Sequence, residues 1–433
     1  MSKLVIGFAG MTHLGINSAA AAAGRGCEAV CFDAETAVIA KLKSGQLPVL
    51  EPGLPELIEQ NKPRILYTAE VGDLKRCDVV YIAADVPTDD QGLSDLSGIR
   101  ALIETVAGGL GPDAILVILC QVPPGFTRNL PLPKERLYYQ VETLIFGRAV
   151  ERAMHPERFI VGCAEPDSPL PQAFHAFLSV FGCPVLPMRY ESAELSKISI
   201  NCCLVASVTV ANTLAELSER IGADWSEIAP ALKLDKRIGP HAYLSPGLGL
   251  AGGNLERDLA TVLRFAEATG SEVGVIESFV QNSRYRRGWV LRTLHTEVLA
   301  TNPKAVIGLL GLAYKENTHS TKNSPSLALI SQLKPWRLRI HDPVVPASAA
   351  VHPEATGCAT ALEAAQGVDV LAIMTPWPAF RDLKTDQLAR TMTGHTIIDP
   401  YRVLDGKAVG AAGLDYFTLG APPFRAAGRA AHA

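Results

Sequence analysis

The sequence lacks a basic excess, paired cysteines and any long unbroken apolar run, and each absence excludes something. Lys plus Arg number 40 against 44 Asp plus Glu, a formal net charge of −4. No broad basic field exists to hold a polyanion, so nucleic acid is not expected as a partner. Single anions are a separate matter, because a helix N-terminus or one Lys does not register in a net charge. The nine cysteines, at 27, 31, 77, 120, 163, 183, 202, 203 and 358, contain no C-x-x-C pair and no zinc-like Cys/His spacing. Their number is odd, so a reduced cytoplasmic compartment is expected, with no metal site. No apolar run reaches the roughly 18–20 residues that cross a bilayer. The opening Met-Ser-Lys-Leu-Val-Ile-Gly is interrupted too soon for a signal segment, so no membrane is expected either. What is present is core material: 48% hydrophobic against 19% charged residues in 433. Disorder as the main state is excluded, and the length suggests two or three domains.

Three stretches read differently. In residues 1–190, short apolar runs alternate with helical patterns. Lys3–Phe8, Glu28–Asp33, Asp78–Ala84 and Ala114–Leu119 read as buried parallel strands, with helical Leu14–Gly24 and Ile99–Leu110 between them. This is the βαβ rhythm of a doubly wound sheet. In residues 191–300, Glu191–Ile221 runs without Pro or Gly and ends at Gly222, the place of a C-cap glycine. A helix of that length suits a dimerisation spine. A second helical stretch, Glu272 to about Ala300, follows. Residues 301–433 repeat the α/β rhythm, with strands expected at Ala305–Leu310, Arg337–His341, Val368–Met374 and Thr396–Asp399. Ala421–Ala433, rich in Ala and Pro, is expected to be a loose tail. The fold class is therefore α/β: two Rossmann-like doubly wound parallel-sheet domains joined by a long central helical segment.

Gly10-Met11-Thr12-His13-Leu14-Gly15 follows a strand and opens a helix. It has the frame of the dinucleotide fingerprint G-x-G-x-x-G, with Thr12 in place of the middle glycine. Asp33 ends the second strand, where an acid accepts from a ribose 2′-hydroxyl and repels a 2′-phosphate, so NAD is expected over NADP. On the long helix, Glu194, Lys197 and Asn201 recur on one face beside Leu195, Ile198 and Leu204. A Lys and an Asn there are either functional or part of a solvated stripe.

A longer series of spaced motifs runs in order along nearly the whole chain. It includes Lys43-Ser44-Gly45, Glu51-Pro52-Gly53-Leu54, Val122-Pro123-x-Gly125, Pro156-Glu157-Arg158-Phe159 and Ala193-Glu194-x-x-Lys197-x-x-x-Asn201. Then come Arg237-Ile238-Gly239-Pro240, Pro246-Gly247-Leu248-Gly249, Gly252, Asp258, Gly311-Leu312-Ala313-Tyr314-Lys315, Ser324-Pro325 and Asp342-Pro343. In these the chain resembles the UDP-glucose/GDP-mannose dehydrogenases. The resemblance implies oxidation of the C6 alcohol of a nucleotide-linked sugar to a carboxylate with two NAD⁺. It also implies NAD on the first domain, the nucleotide on the last, and a homodimer built on the central helix. Carried over by position, Lys197, Asn201, Asp258 and Glu142 become proton-handling and oxyanion-side residues. Leu144, Phe146, Arg237, Tyr243, Gly247, Gly249 and Lys315 become substrate-side residues, with Arg237 reaching in from the partner subunit. Gly10, Thr12, His13, Leu14, Gly15, Asp33, Val86 and Lys322 become cofactor-side residues.

The departures concentrate on the chemistry. The family's Gly-rich loop carries a cysteine that attacks the aldehyde. Here the loop reads Ala251-Gly252-Gly253-Asn254-Leu255-Glu256-Arg257-Asp258, and an amide is not a nucleophile. The family's S-T-V-P reads Cys120-Gln121-Val122-Pro123, its R-E-G reads Ile145-Phe146-Gly147, and its D-D-x-R reads His319-Ser320-Thr321-Lys322. Cys120, at a strand end, is a candidate replacement thiol, although a small buried strand residue is the plainer reading. Cys202 and Cys203 read as packing residues, and His13 and His319 as surface loop residues. Three functions are open: a dehydrogenase stopping at the aldehyde or ketone, a redox-neutral epimerase or dehydratase with transient oxidation by bound NAD, or a catalytically silent nucleotide-binding homologue.

Overall fold

The computed structural model describes residues 4–89 and 92–426. The chain divides after Ile200 into two compact units. The first holds an eight-stranded sheet in the order β3-β2-β1-β4-β5-β6-β7-β8. Its strands are β1 (Val5–Ala9), β2 (Glu28–Phe32), β3 (Ile65–Thr68), β4 (Val79–Ile82), β5 (Ile115–Ile118), β6 (Leu137–Gln140), β7 (Phe159–Cys163) and β8 (Val185–Arg189). All neighbours are parallel except β6 and β7. The strands of the centre bury both faces, which is why they read as continuous apolar runs. Val79, Val80, Tyr81 and Ile82 are each at most 1% exposed. Each such side chain contributes about 1.5–3 kcal/mol of burial.

The helix His13–Gly24 follows β1 directly and is buried nearly throughout, because its Ala19–Ala23 run lets the backbone lie close to the sheet. The strand order reverses between β1 and β4, so the loops after those two strands face each other at the switch point where such sheets bind ligands.

The second unit carries a six-stranded parallel sheet in the order β11-β10-β9-β12-β13-β14. Its strands are β9 (Val306–Leu310), β10 (Arg337–His341), β11 (Ala355–Gly357), β12 (Val370–Ile373), β13 (Thr396–Ile398) and β14 (Asp415–Phe417). The helix Tyr190–Ile221 runs for 32 residues through the point of division.

Four expectations are corrected. The Glu272–Ala300 stretch is not one helix: Gly288 ends Gly274–Arg287, and Trp289–Leu294 then runs into a π-helical turn at His295–Leu299. The tail is partly pinned, since Phe424 bridges Tyr416 and the Ala426 N–H donates to Asp415 at 2.8 Å. Residues 427–433 lie outside the described residues, as does Lys3. One helix is, by length and composition, apolar enough to cross a membrane: an 18-residue window of Tyr190–Ile221 has mean hydropathy 1.6. Its aliphatic residues are interleaved with Ser, Thr, Asn and Cys, so no unbroken run announces it. A third of that window is buried within the protein. Finally, Leu195 points outward at 48% exposed while Ile198 is buried, so the apolar residues near Lys197 do not share one face.

Candidate active site

The dinucleotide loop is built by close approach. Gly10 has φ +95°, and a Cβ there would meet the Ala84 Cβ at 2.5 Å. A Cβ on Gly15 would lie 1.9 Å from the Gly10 carbonyl oxygen. The outer two glycines of the fingerprint are thus sterically required. The middle one is not, because Thr12 has φ −87° and its hydroxyl accepts the Asp85 N–H at 2.9 Å. Asp33 reaches back from the end of β2 to accept the Met11 N–H at 2.8 Å and the Glu35 N–H at 3.0 Å. The loop, the helix start and the acid together fit the adenosine half of a dinucleotide. One feature opposes the pyrophosphate: the Asp85 carboxylate accepts the His13 N–H at 3.1 Å, where an anion would compete with it. Val86 follows Asp85, half-buried.

His13 is not a surface residue. It is 6% exposed, its Nε2 donates to Glu51 at 3.0 Å, and its ring stacks on Phe146 with centroids 4.0 Å apart. The expectation failed because a histidine in a loop motif gives no sign of a buried carboxylate 38 residues away. His319 is exposed, as expected.

The segment after β6 gathers the next group. The Glu142 carboxylate accepts the Leu144 N–H and lies 3.6 Å from the Lys197 Nζ, both side chains largely covered. A cavity of about 540 Å³, partly open to solvent, is lined by Leu14, Tyr81, Gln140, Glu142, Leu144 and Phe177 among others. Glu194, one turn before Lys197, is fully buried and accepts the Gly125 N–H at 2.6 Å and the Thr127 N–H at 2.9 Å. Burial pushes its carboxyl up from the ordinary value, against those backbone donors. It secures the turn after Val122-Pro123 and does not belong with Lys197 functionally. Gln121 is half-buried beside Cys120. The Cys120 thiol is wholly buried, which pushes it up to about 12. That disfavours the thiolate that a nucleophile requires.

In the second unit, the Asn201 amide donates to the Asp258 carboxylate at 2.5 Å, and the Arg257 Nε lies 3.4 Å from the other oxygen. Asp258 is 1% exposed. It sits on the helix Asn254–Thr269, which Gly252 (φ +94°) and Gly253 (φ +139°) lead into. Asn254 is the first helical residue, exposed, and four positions before Asp258, hence on the same face. The Lys322 carbonyl accepts the Gly252 N–H at 3.0 Å, and the Lys322 side chain lies over Gly253. Cys202 is pushed up to about 11, mainly by burial, and packs in a small apolar cluster. Cys203 is exposed, which corrects its reading as a packing residue.

The loop holding Gly247 and Gly249 is pinned at several points. The Gly247 N–H donates to Asn212 at 2.8 Å, and a Cβ on Gly249 would meet the Ser283 carbonyl oxygen at 2.4 Å. Next to Tyr243, which is half-exposed, the Leu244 carbonyl accepts the Trp225 indole N–H at 2.7 Å. Arg237 is exposed and paired with Asp235 at 2.6 Å. The Lys315 Nζ lies 5.7 Å from the centre of the Tyr314 ring.

Sequence reasoning missed Asp85, Glu51, Asn212, Trp225 and Arg257. Glu51 had a signal, an acid ahead of Pro52-Gly53, but nothing marked its partners. Asp85 and Arg257 adjoin the named Val86 and Asp258 but carried no signal of their own, and Asn212 and Trp225 are single residues in unremarked surroundings.

Comparison with known proteins agrees with this geometry. The UDP-glucose/GDP-mannose dehydrogenase family profiles match in series: the NAD binding domain over residues 4–176, the central domain over 191–284 and the UDP binding domain over 308–406. The UDP-glucose 6-dehydrogenase TuaD of Bacillus subtilis is 29% identical, covering 98% of this chain and 94% of its own length. A UDP-glucose 6-dehydrogenase of Pseudomonas aeruginosa is 28% identical, covering 95% and 96%. The structure of a UDP-glucose dehydrogenase from the archaeon Pyrobaculum islandicum superposes with a TM-score of 0.81 at 25% identity, over 94% of this chain and 98% of that one. With two Rossmann-like parallel sheets, a long central helix and three consecutive domain matches, the chain belongs to the UDP-glucose/GDP-mannose dehydrogenase family of NAD-dependent oxidoreductases.

Proposed function

We propose that this enzyme oxidises an alcohol of a UDP-linked hexose or related nucleotide sugar by one hydride and releases the aldehyde or ketone. The observation that carries the reading is Asn254: an exposed amide at the start of its helix, one turn before Asp258, in the place where the family resemblance expects the attacking cysteine. Burial raises the Cys120 and Cys202 thiols, which disfavours either as a replacement nucleophile.

Gly10, Thr12, His13, Leu14, Gly15, Asp33 and Val86 would hold NAD in the first unit, with Lys322 carried over from the resemblance. NAD, when bound, would supply the hydride acceptor, and the proton of the alcohol would leave to solvent. The chain's own residues hold the alcohol. Lys197 and Asn201 stand four residues apart on one helix face and present an ammonium and an amide N–H to a developing oxyanion. Glu142 orients Lys197, and Asp258 orients Asn201, through the contacts described above. Gln121 stands where the family resemblance has a small hydroxyl. Leu144, Phe146, Arg237, Tyr243, Gly247, Gly249 and Lys315 are assigned to the substrate. The aromatic Phe146, where the family has an acid, argues for a sugar other than plain glucose.

A homodimer on the Tyr190–Ile221 helix in the cytoplasm is part of the same reading. Leu195, Val210, Leu214, Leu217 and Ile221 are all exposed on that helix and call for an apolar partner. Light scattering that finds a monomer at micromolar concentration would remove it, together with the cross-subunit role of Arg237.

The test of the reaction counts NADH formed per UDP-sugar consumed. One NADH with a carbonyl product is expected. Two with a carboxylate overturns the reading, as does conversion without NADH, which selects the redox-neutral chemistry. Asn254→Cys should then yield part of a second oxidation or trap the aldehyde as a thiohemiacetal. Asn254→Ala should lower the rate, by up to about 3 kcal/mol of barrier, without changing the product.

A further inference from the structure

Glu51 stands outside every role assigned above, yet its carboxylate is fully buried and accepts three N–H groups. The His13 Nε2 donates at 3.0 Å, the Gly147 N–H at 3.1 Å and the Ala149 N–H at 2.7 Å. A carboxylate removed from water needs such donors, and an acid used only to cap a turn would need the two backbone ones alone. The third comes from the first residue of the helix that opens the dinucleotide loop. The His13 ring also stacks on Phe146, so His13 and Glu51 both meet the same short segment. That segment is held at its other end by the Glu142–Lys197 pair.

We propose that Glu51 is a positioning residue that couples the dinucleotide loop, through His13, to the 142–149 segment carrying Glu142 and Phe146. Cofactor binding restrains the start of the His13–Gly24 helix, and the His13–Glu51 hydrogen bond passes that restraint to the Gly147 and Ala149 amides. The substrate side is then ordered most firmly when NAD is in place. The inference rests on the assignment of Gly10–Gly15 to NAD.

The test is amide hydrogen exchange at Gly147 and Ala149, with and without NAD⁺ and with no sugar present, beside a direct NAD⁺ titration. At NAD⁺ 100 times its dissociation constant, coupled opening should slow by about 100-fold in the native protein. His13→Phe keeps a ring on Phe146 and leaves both backbone bonds to Glu51, but removes the N–H donor. Its exchange without NAD⁺ should rise, because a buried carboxylate loses one donor, and NAD⁺ held at 100 times the variant's own dissociation constant should not slow it. His13→Gln, which keeps an N–H donor, should retain part of the response. A purely structural role would raise exchange equally with and without NAD⁺ in both variants, and that overturns the proposal. It is also overturned if native protein binds NAD⁺ while these amides do not respond, or if His13→Phe responds as native does. Failure of the native protein to bind NAD⁺ at all would sink the cofactor assignment along with it, a result the titration separates from the others.

Discussion

The two sheets use the same device at the same place and put it to different ends. In the first, the Gly10 N–H donates to Phe32 at 2.9 Å, and Asp33 at the end of the neighbouring strand accepts the Met11 N–H. In the second, the Gly311 N–H donates to His341 at 2.8 Å, and Asp342 accepts the Leu312 N–H at 2.6 Å and the Ala313 N–H at 3.1 Å. Both glycines have a positive φ, and a Cβ on either would meet the facing loop at 2.5 Å. The two diverge immediately beyond the glycine. Gly10 runs directly into the helix at His13, whose N-terminus favours an anion and already meets the Asp85 carboxylate there. After Gly311 the chain wanders to Ser324 before the helix Pro325–Gln332 begins, and Ser324 caps it with its own side chain. Asp342 is also fully used, accepting from Val344, Val345 and the Trp377 indole. A glycine and an acid at adjacent strand ends therefore close a βαβ turn in either sheet. The helix placed directly behind the glycine is what makes one of the turns a candidate dinucleotide site.

The largest expected effect is steric. Gly15→Ala should destabilise the first unit by about 3 kcal/mol or more and abolish NAD⁺ binding, because the new methyl overlaps the Gly10 carbonyl. Gly311→Ala should cost a similar amount in stability without touching NAD⁺ affinity of the protein that remains folded. Thermal unfolding together with cofactor titration checks both; loss of NAD⁺ binding in folded Gly311→Ala protein would dissolve the contrast.

Next, Asp342→Asn should cost about 2–3 kcal/mol, since one oxygen is replaced by an amide N–H that faces donors. Burial acts to raise the Asp342 carboxyl, but the backbone donors outweigh it and hold it below 3.8. A depressed folded-state value contributes stability that is present above the unfolded value and lost as pH falls through the folded one. The gap between wild type and Asp342→Asn should thus be full near neutral pH and close below about pH 4. Urea unfolding at several pH values would show a constant gap if the account is wrong.

Asp85→Asn should tighten NAD⁺ binding by about tenfold at low salt, because a carboxylate no longer occupies the helix start. The gain should shrink as salt is raised, and unchanged affinity at low salt would mean that Asp85 simply moves aside. The smallest effect is on selectivity. Asp33→Asn should narrow the preference for NAD⁺ over NADP⁺ by a few-fold, about 1 kcal/mol or less. Part of the Asp33 carboxylate is already committed to the loop, as in its counterpart Asp342, so a larger loss of NAD⁺ affinity would point to collapse of the loop itself. Titration with both cofactors decides.

Much of the fold was legible because burial leaves a local mark. The strands β1, β2, β4, β5, β9, β10, β12 and β13 were expected to within a residue or two, most of them from continuous apolar runs; β10, Arg-Leu-Arg-Ile-His, is the exception. Of the strands that escaped, β8 carries Pro187 and mostly outward-facing residues and β11 has three residues, but β6 and β7 are wholly buried and were not picked out all the same. The break at Gly288 escaped because a single glycine inside a helical pattern does not specify a new axis. In the candidate site, helical spacing marked Lys197 and Asn201, the family resemblance marked Asp258, and the structure supplies the contacts these residues make. His13 was misjudged and Asp85 and Glu51 were missed because their significance lies in contacts across tens of residues.

By itself the sequence determined the repeated β-and-helix rhythm, the two required glycines of the fingerprint, the acid at the end of β2 and the presence of an amide at position 254. Each comes from local chemistry: side-chain periodicity, steric room at a Cα, or the identity of one functional group. Only the tertiary structure decided that Asp85 shares the start of the first helix, that Glu51 ties His13 to Gly147 and Ala149, and that Cys120 is sealed away from reaction. Those outcomes depend on which groups burial removes from water and which donors then stand within about 3 Å, and no spacing along the chain encodes that distance.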